Sequence, residues 1–160
     1  MKQVIELCVN GENYELAVEP QVTLLEALRG ELGLTGAKEA CGTGECGSCT
    51  VLMDGKPVLA CLILAVDCPR HAIATIEGVS PGPDKLAPLQ QAFLDTGAIQ
   101  CGFCTPGMIL TAGALLADNP RPADEEIKKA LEGNLCRCTG YNKILEAVKL
   151  AAGRAETKDR

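Results

Sequence analysis

The 160-residue sequence contains no Trp, only two Phe and two Tyr, and a single His. Any core must therefore be aliphatic, built from Leu, Ile, Val and Ala, and a hydrophobic share of 47% is enough to build one. Positive charge is also scarce: 15 Lys and Arg stand against 21 Asp and Glu, a net charge of −6. That balance argues against nucleic acid as a partner, because phosphate binding rests on clustered Lys and Arg. No apolar window approaches the roughly 18 residues that a spanning helix needs, so no membrane span is expected. The first ten residues, with Glu6 among them, resemble neither a secretory signal nor a twin-arginine leader. The chain is expected in the cytoplasm.

What the sequence has in excess is cysteine, ten in all. In a short secreted chain these would imply disulfides, but in a reducing compartment dense cysteine points to metal.

The pattern of the chain changes near its middle. Residues 1–77 read as β-rich with one helix. Val4 to Val9 alternates, with Ile5, Leu7 and Val9 on one face, and Asn10-Gly11 signals a hairpin whose return strand runs from Asn13 to Val18. Thr23-Leu24-Leu25-Glu26 is a capping box opening a helix over Leu24 to Leu32, with Gly33 as its C-cap. Strands are expected at Thr50–Met53, Val58–Leu64 and Ala72–Ile76, with an Asp54-Gly55 turn between the first two. Together these make a β-grasp-like sheet crossed by one helix. Residues 78–84 form a breaker-rich linker. Residues 84–160 then read as helical. Leu86, Leu89, Phe93 and Leu94 form one stripe, and Thr105-Pro106 is an N-cap with proline at N1. Further helices are expected over Asp124–Glu132 and Asn142–Ala152, giving a four-helix bundle and an α+β chain overall.

Cys41, Cys46, Cys49 and Cys61 are spaced C-x4-C-x2-C-x11-C, the plant-type pattern for a [2Fe–2S] cluster. The loop Cys41-Gly42-Thr43-Gly44-Glu45-Cys46-Gly47-Ser48-Cys49 suits that task. Glycines permit positive φ and close backbone approach, so amides can point at the sulfurs. A zinc site would more often show two C-x2-C knuckles. Cys101, Cys104, Cys136 and Cys138 form a second set, C-x2-C and C-x-C, with both pairs near expected helix N-termini that favour thiolates. Spacing alone leaves zinc and a second iron–sulfur cluster both open here.

Two segments carry a resemblance. Gln100-Cys101-Gly102-Phe103-Cys104-Thr105-Pro106-Gly107-Met108 and Gly133-Asn134-Leu135-Cys136-Arg137-Cys138-Thr139-Gly140-Tyr141 resemble the hallmark segments of the xanthine oxidase family of molybdenum hydroxylases. More narrowly, the chain resembles the small iron–sulfur subunits of carbon monoxide dehydrogenases, 4-hydroxybenzoyl-CoA reductases, and nicotinate, quinoline and aldehyde dehydrogenases. The likeness runs from about Val4 to Ala152 and includes Thr35-Gly36-Ala37-Lys38. Ala40 and Ser48 depart from it, standing where the family often has Gly and Ala, and neither is a ligand position.

The resemblance implies a plant-type ferredoxin-like N-terminal domain and a four-helix C-terminal domain, each with one [2Fe–2S] cluster. It implies that the C-terminal cluster lies nearer a molybdopterin cofactor held by a large partner subunit. Gln100 would then hydrogen-bond the pterin, and Cys138 would link cluster and pterin edge. Electrons would pass from the molybdenum centre through the two clusters to FAD in a medium subunit, or to another acceptor. No nucleophile–base pair and no G-x-G-x-x-G fingerprint on a βαβ unit occurs, so substrate chemistry is expected in the partner. The rivals are a free ferredoxin-type shuttle and a zinc-stabilised interaction module.

Cys8 and Cys68 are expected to be spare thiols and His71 a surface side chain. Arg137 could steer a partner or form an ordinary salt bridge. Arg154 to Arg160 reads as a solvated tail.

Overall fold

The computed structural model describes residues 1–82 and 84–157, with side chains to Gly153. Strand β1 (Gln3–Val9) pairs antiparallel with β2 (Glu12–Val18) through a turn in which Asn10 and Gly11 both take positive φ, 53° and 83°. Strands β3 (Thr50–Met53) and β4 (Lys56–Leu59) form a second hairpin, turned by Asp54 and Gly55 at φ 51° and 79°. Strand β5 (Ala72–Ala74) lies between the hairpins, parallel to β1 and antiparallel to β3. The sheet order is β2-β1-β5-β3-β4.

Alternation in β1 buries Ile5, Leu7 and Val9 as expected, and they pack with Val51 and Ile73 against Leu24, Leu25 and Leu28 of the crossing helix. That helix opens with the expected capping box. The Glu26 amide donates to Thr23 Oγ1 at 3.2 Å, and the Thr23 amide donates back to the Glu26 carboxylate at 2.7 Å. It does not stay α-helical to Leu32. After α1 (Leu24–Glu26) it widens into a π-turn over Ala27–Glu31, closed by Leu32 N donating to Ala27 O at 3.2 Å. Gly33, at φ 68°, reverses the chain as a C-terminal glycine should. Arg29 in the widened turn reaches across to the carbonyls of Thr35 and Ala37, at 2.9 and 2.7 Å.

The strand expected over Thr50–Met53 is found unchanged, but those expected over Val58–Leu64 and Ala72–Ile76 end early. The chain leaves β4 at Leu59 and coils into a 3-10 turn, Ala60–Leu62, because Cys61 must swing back toward Cys49. β5 ends at Ala74, and Ile76–Gly78 form another 3-10 turn. Ile76 and Val79 pack against the second core.

Four helices follow: α2 (Pro88–Asp95), α3 (Thr105–Asp118), α4 (Asp124–Leu131) and α5 (Asn142–Thr157). Their core holds Leu89, Phe93, Met108, Ile127, Ile144 and Val148, aliphatic except for one Phe. The expected α2 stripe is only half right. Leu89 and Phe93 are buried, whereas Leu86 precedes the helix and Leu94 faces out, each about half exposed. Neighbours at i and i+1 sit about 100° apart, so Phe93 and Leu94 cannot both face the core. The cap of α3 is Cys104, one residue before the expected Thr105. α5 runs beyond Ala152, and residues 158–160 of the expected tail lie outside the described residues. Helix α3 packs on β3 and β4, which brings the helical unit against the sheet at the first cysteine loop. Among the described residues no helix is long and apolar enough to cross a membrane.

Candidate metal centres

The loop from Cys41 to Cys49 hangs from the end of the α1 crossover and is closed by β3. Gly42, Gly44 and Gly47 all take positive φ, so the backbone curls in a way that residues with a Cβ resist. Gly44 has a second reason, because a Cβ there would lie 2.4 Å from Leu62 Cδ1, the side chain beside Cys61. The curl points amides at sulfur, with Thr43 N donating to Cys41 Sγ at 3.4 Å. That bond, a further one from the Thr43 side chain and hydrogen bonds from Cys46 together lower the Cys41 thiol from 9.0 to about 5. Cys49, across the loop, is buried, and burial pushes its thiol up to about 11. Its Sγ stands 3.3 Å from Cys61 Sγ.

The second set repeats the arrangement at the helical end. Cys138 Sγ is 3.6 Å from Cys101 Sγ, and Cys104 is hydrogen-bonded to Cys136. Burial pushes Cys104 up to about 12. Burial also opposes ionisation of Cys136, but hydrogen bonds from the Thr139 side chain and amide outweigh it and lower that thiol. Thr139 Oγ1 lies 3.0 Å from Cys136 Sγ, and its amide donates to the same sulfur at 3.4 Å. The Cys136 amide is turned the other way, donating to the Tyr141 hydroxyl at 2.9 Å. Tyr141 holds that position at φ 69°, unusual for a non-glycine residue, directly after Gly140 at 63°.

The donor chemistry fits a two-iron cluster at each site. All eight ligand candidates are sulfur and lie free of disulfides, all four pairs are in direct contact or hydrogen-bonded, and backbone amides approach the sulfurs. Two irons take two thiolates each, so pairing is the expected arrangement.

Matches to known proteins follow the same division. Residues 7–66 match the 2Fe-2S iron-sulfur cluster binding domain, and residues 75–149 match the [2Fe-2S] binding domain. The nicotinate dehydrogenase small FeS subunit of Eubacterium barkeri is 54% identical over 96% of this chain and 97% of its own length. The chain belongs to the small iron–sulfur subunits of the molybdenum hydroxylase family. Quinoline 2-oxidoreductase of Pseudomonas putida 86 has the same fold, with a TM-score of 0.93 and 45% identity over 99% of each chain. The aldehyde oxidoreductase of Desulfovibrio desulfuricans ATCC 27774 matches at a TM-score of 0.93 and 43% identity over 98% of this chain but 17% of its own. The subunit is thus an electron-transfer component of an oxidoreductase, a role that some relatives carry on a separate chain and others within a longer one.

The remaining sequence candidates fall outside both centres. Gln100 is exposed in a bend beside Cys101, past the end of α2 and so not capping it. Cys8 is half-buried on β1, while Cys68 is fully buried and donates to Leu64 O at 3.4 Å. Burial pushes the Cys68 thiol up to about 11, which leaves it inert. His71 is surface-exposed and contacts Asp54 at 2.5 Å, and Arg137 is exposed. Sequence reasoning missed Thr139 and Tyr141 as partners of Cys136, although a Gly-Tyr step just after a cysteine pair signals an unusual turn.

Proposed function

We propose that this subunit holds one [2Fe–2S] cluster on Cys41, Cys46, Cys49 and Cys61, within residues 1–77, and a second on Cys101, Cys104, Cys136 and Cys138, within residues 84–160. It carries electrons from a molybdopterin-binding large subunit to FAD in a medium subunit, or to another acceptor, in the cytoplasm. When bound, each cluster supplies a one-electron redox centre.

The chain's own residues support this order. Cys101 and Cys138 are exposed, with Phe103 and Leu135 exposed beside them at 43% and 52%. A thiol pair ringed by apolar surface is what a partner covers, and the cover would exclude water from the site. Gln100 stands on the same exposed segment, free to hydrogen-bond a pterin held by the partner, and Cys138, one of the two exposed ligands, would link the cluster to the pterin edge. The other side of this set meets the first loop, where Leu135 N donates to Cys46 O at 2.9 Å. That exposed pair, backed by a direct link to the other set, is the observation that carries the reading.

Anaerobic purification of the tagged chain from its native host tests it. Molybdopterin- and flavin-binding chains should be recovered with it in constant ratio. Recovery as a lone soluble monomer would favour a free electron shuttle instead.

A further inference from the structure

Asn134 is polar yet only 4% exposed, and its side chain reaches three separate elements. Its Nδ2 donates to Gly47 O at 3.1 Å and to Thr50 Oγ1 at 3.2 Å, while its Oδ1 accepts from Thr111 Oγ1 at 3.0 Å. Thr50 Oγ1 itself donates to Gly47 O at 2.7 Å. A single buried amide therefore ties the first cysteine loop to β3, to helix α3 and to the second cysteine loop. The fit leaves no slack. A Cβ at Gly47 would lie 2.3 Å from Gly133 O and 2.6 Å from Asn134 Nδ2, and one at Gly107 would lie 2.5 Å from Gly47 O. The next residue, Leu135, donates its amide to Cys46 O at 2.9 Å, and the residue after that is Cys136. One hydrogen bond thus joins the backbone of Cys46, a candidate ligand of the first set, to the residue directly before Cys136, a candidate ligand of the second.

We propose that Asn134 is a positioning residue that fixes the spacing of the two cluster sites. The inference rests on the two-cluster reading. Its physical reason is that a buried network with every member satisfied is rigid and specifies one geometry. Among the described residues no buried side-chain polar atom lacks a partner. Removing the amide leaves the Gly47 carbonyl with fewer partners and lets the two loops part.

Two reduced clusters at a fixed separation split each other's electron paramagnetic resonance signals, and a variable separation smears the splitting. The test uses the full chain, purified anaerobically and reduced with dithionite. Three variants are compared with wild type: Asn134→Ala, Thr111→Val, which removes one hydrogen bond to Asn134 while changing no residue of either cysteine loop, and Thr111→Ser, which keeps the hydroxyl. Visible absorption should report both clusters in each. The splitting seen in wild type should be lost or smeared in Asn134→Ala and Thr111→Val and kept in Thr111→Ser. Should Asn134→Ala fail to fold, Thr111→Val against Thr111→Ser decides. Wild-type splitting in Thr111→Val overturns the inference while leaving the two clusters in place. A wild-type protein with a single cluster overturns the two-cluster reading and this inference with it.

Discussion

The Glu77 carboxylate accepts the Gly36 amide at 2.7 Å and so fastens the 3-10 turn after β5 to the segment leading into Cys41. The contact is close, since a Cβ on Gly36 would lie 2.1 Å from Ile76 Cγ2. Burial opposes ionisation of Glu77, but hydrogen bonds from Thr75 Oγ1, at 2.6 Å, and from Gly36 outweigh it and hold the carboxyl below its ordinary 4.5.

A carboxyl whose pKa falls on folding adds stability above its unfolded value and loses it as pH drops through the folded one. Glu77→Gln should therefore cost roughly 1 kcal/mol near neutrality, discounted for partial exposure. The gap from wild type should shrink as pH falls below 4.5. Urea unfolding at several pH values reads both effects.

Tyr141→Phe removes only the acceptor of the Cys136 amide. The expected loss is about 1 kcal/mol, or a fall in melting temperature of about 2–4 °C for a chain of this size. An unchanged melting temperature would mean that the phenol does not hold the loop.

Helix α2 offers a paired test of which face is buried. Phe93→Ala should destabilise by about 3–5 kcal/mol, because Phe93 is fully buried among aliphatic side chains. Leu94→Ala, one position on and about half exposed, should stay within about 0.5 kcal/mol.

Ligand and spare thiols should separate cleanly. Cys61→Ala should abolish one cluster signal and leave the other, and Cys136→Ala should do the reverse. Cys8→Ser should leave both intact, as its half-buried place on β1 lies apart from both sets. Iron analysis with visible absorption of each variant provides the check.

Local chemistry explains which parts of this fold could be read from the chain. The Asn10-Gly11 and Asp54-Gly55 turns, the capping box at Thr23 and the alternation of β1 are each decided by neighbours in sequence, and the structure repeats them. The misread stretches answer to partners outside their own element. Cys61 leaves its expected strand because it must meet Cys49, and α1 widens into a π-turn whose Arg29 reaches Thr35 and Ala37. The first cysteine set is legible because all but one of its ligands share a short glycine-rich loop. The second draws its pairs from segments separated by the whole of α3 and α4, so spacing alone left its metal open. Nothing next to Asn134 in the sequence marks its role, since its partners Gly47 and Thr50 are 87 and 84 positions away.

An electron paramagnetic resonance redox titration of the anaerobically purified full chain tests the central claim most directly. Two distinct [2Fe–2S] signals should appear on reduction, one lost in Cys61→Ala and the other in Cys136→Ala. A single reducible centre, or a colourless protein loaded with zinc, would contradict it.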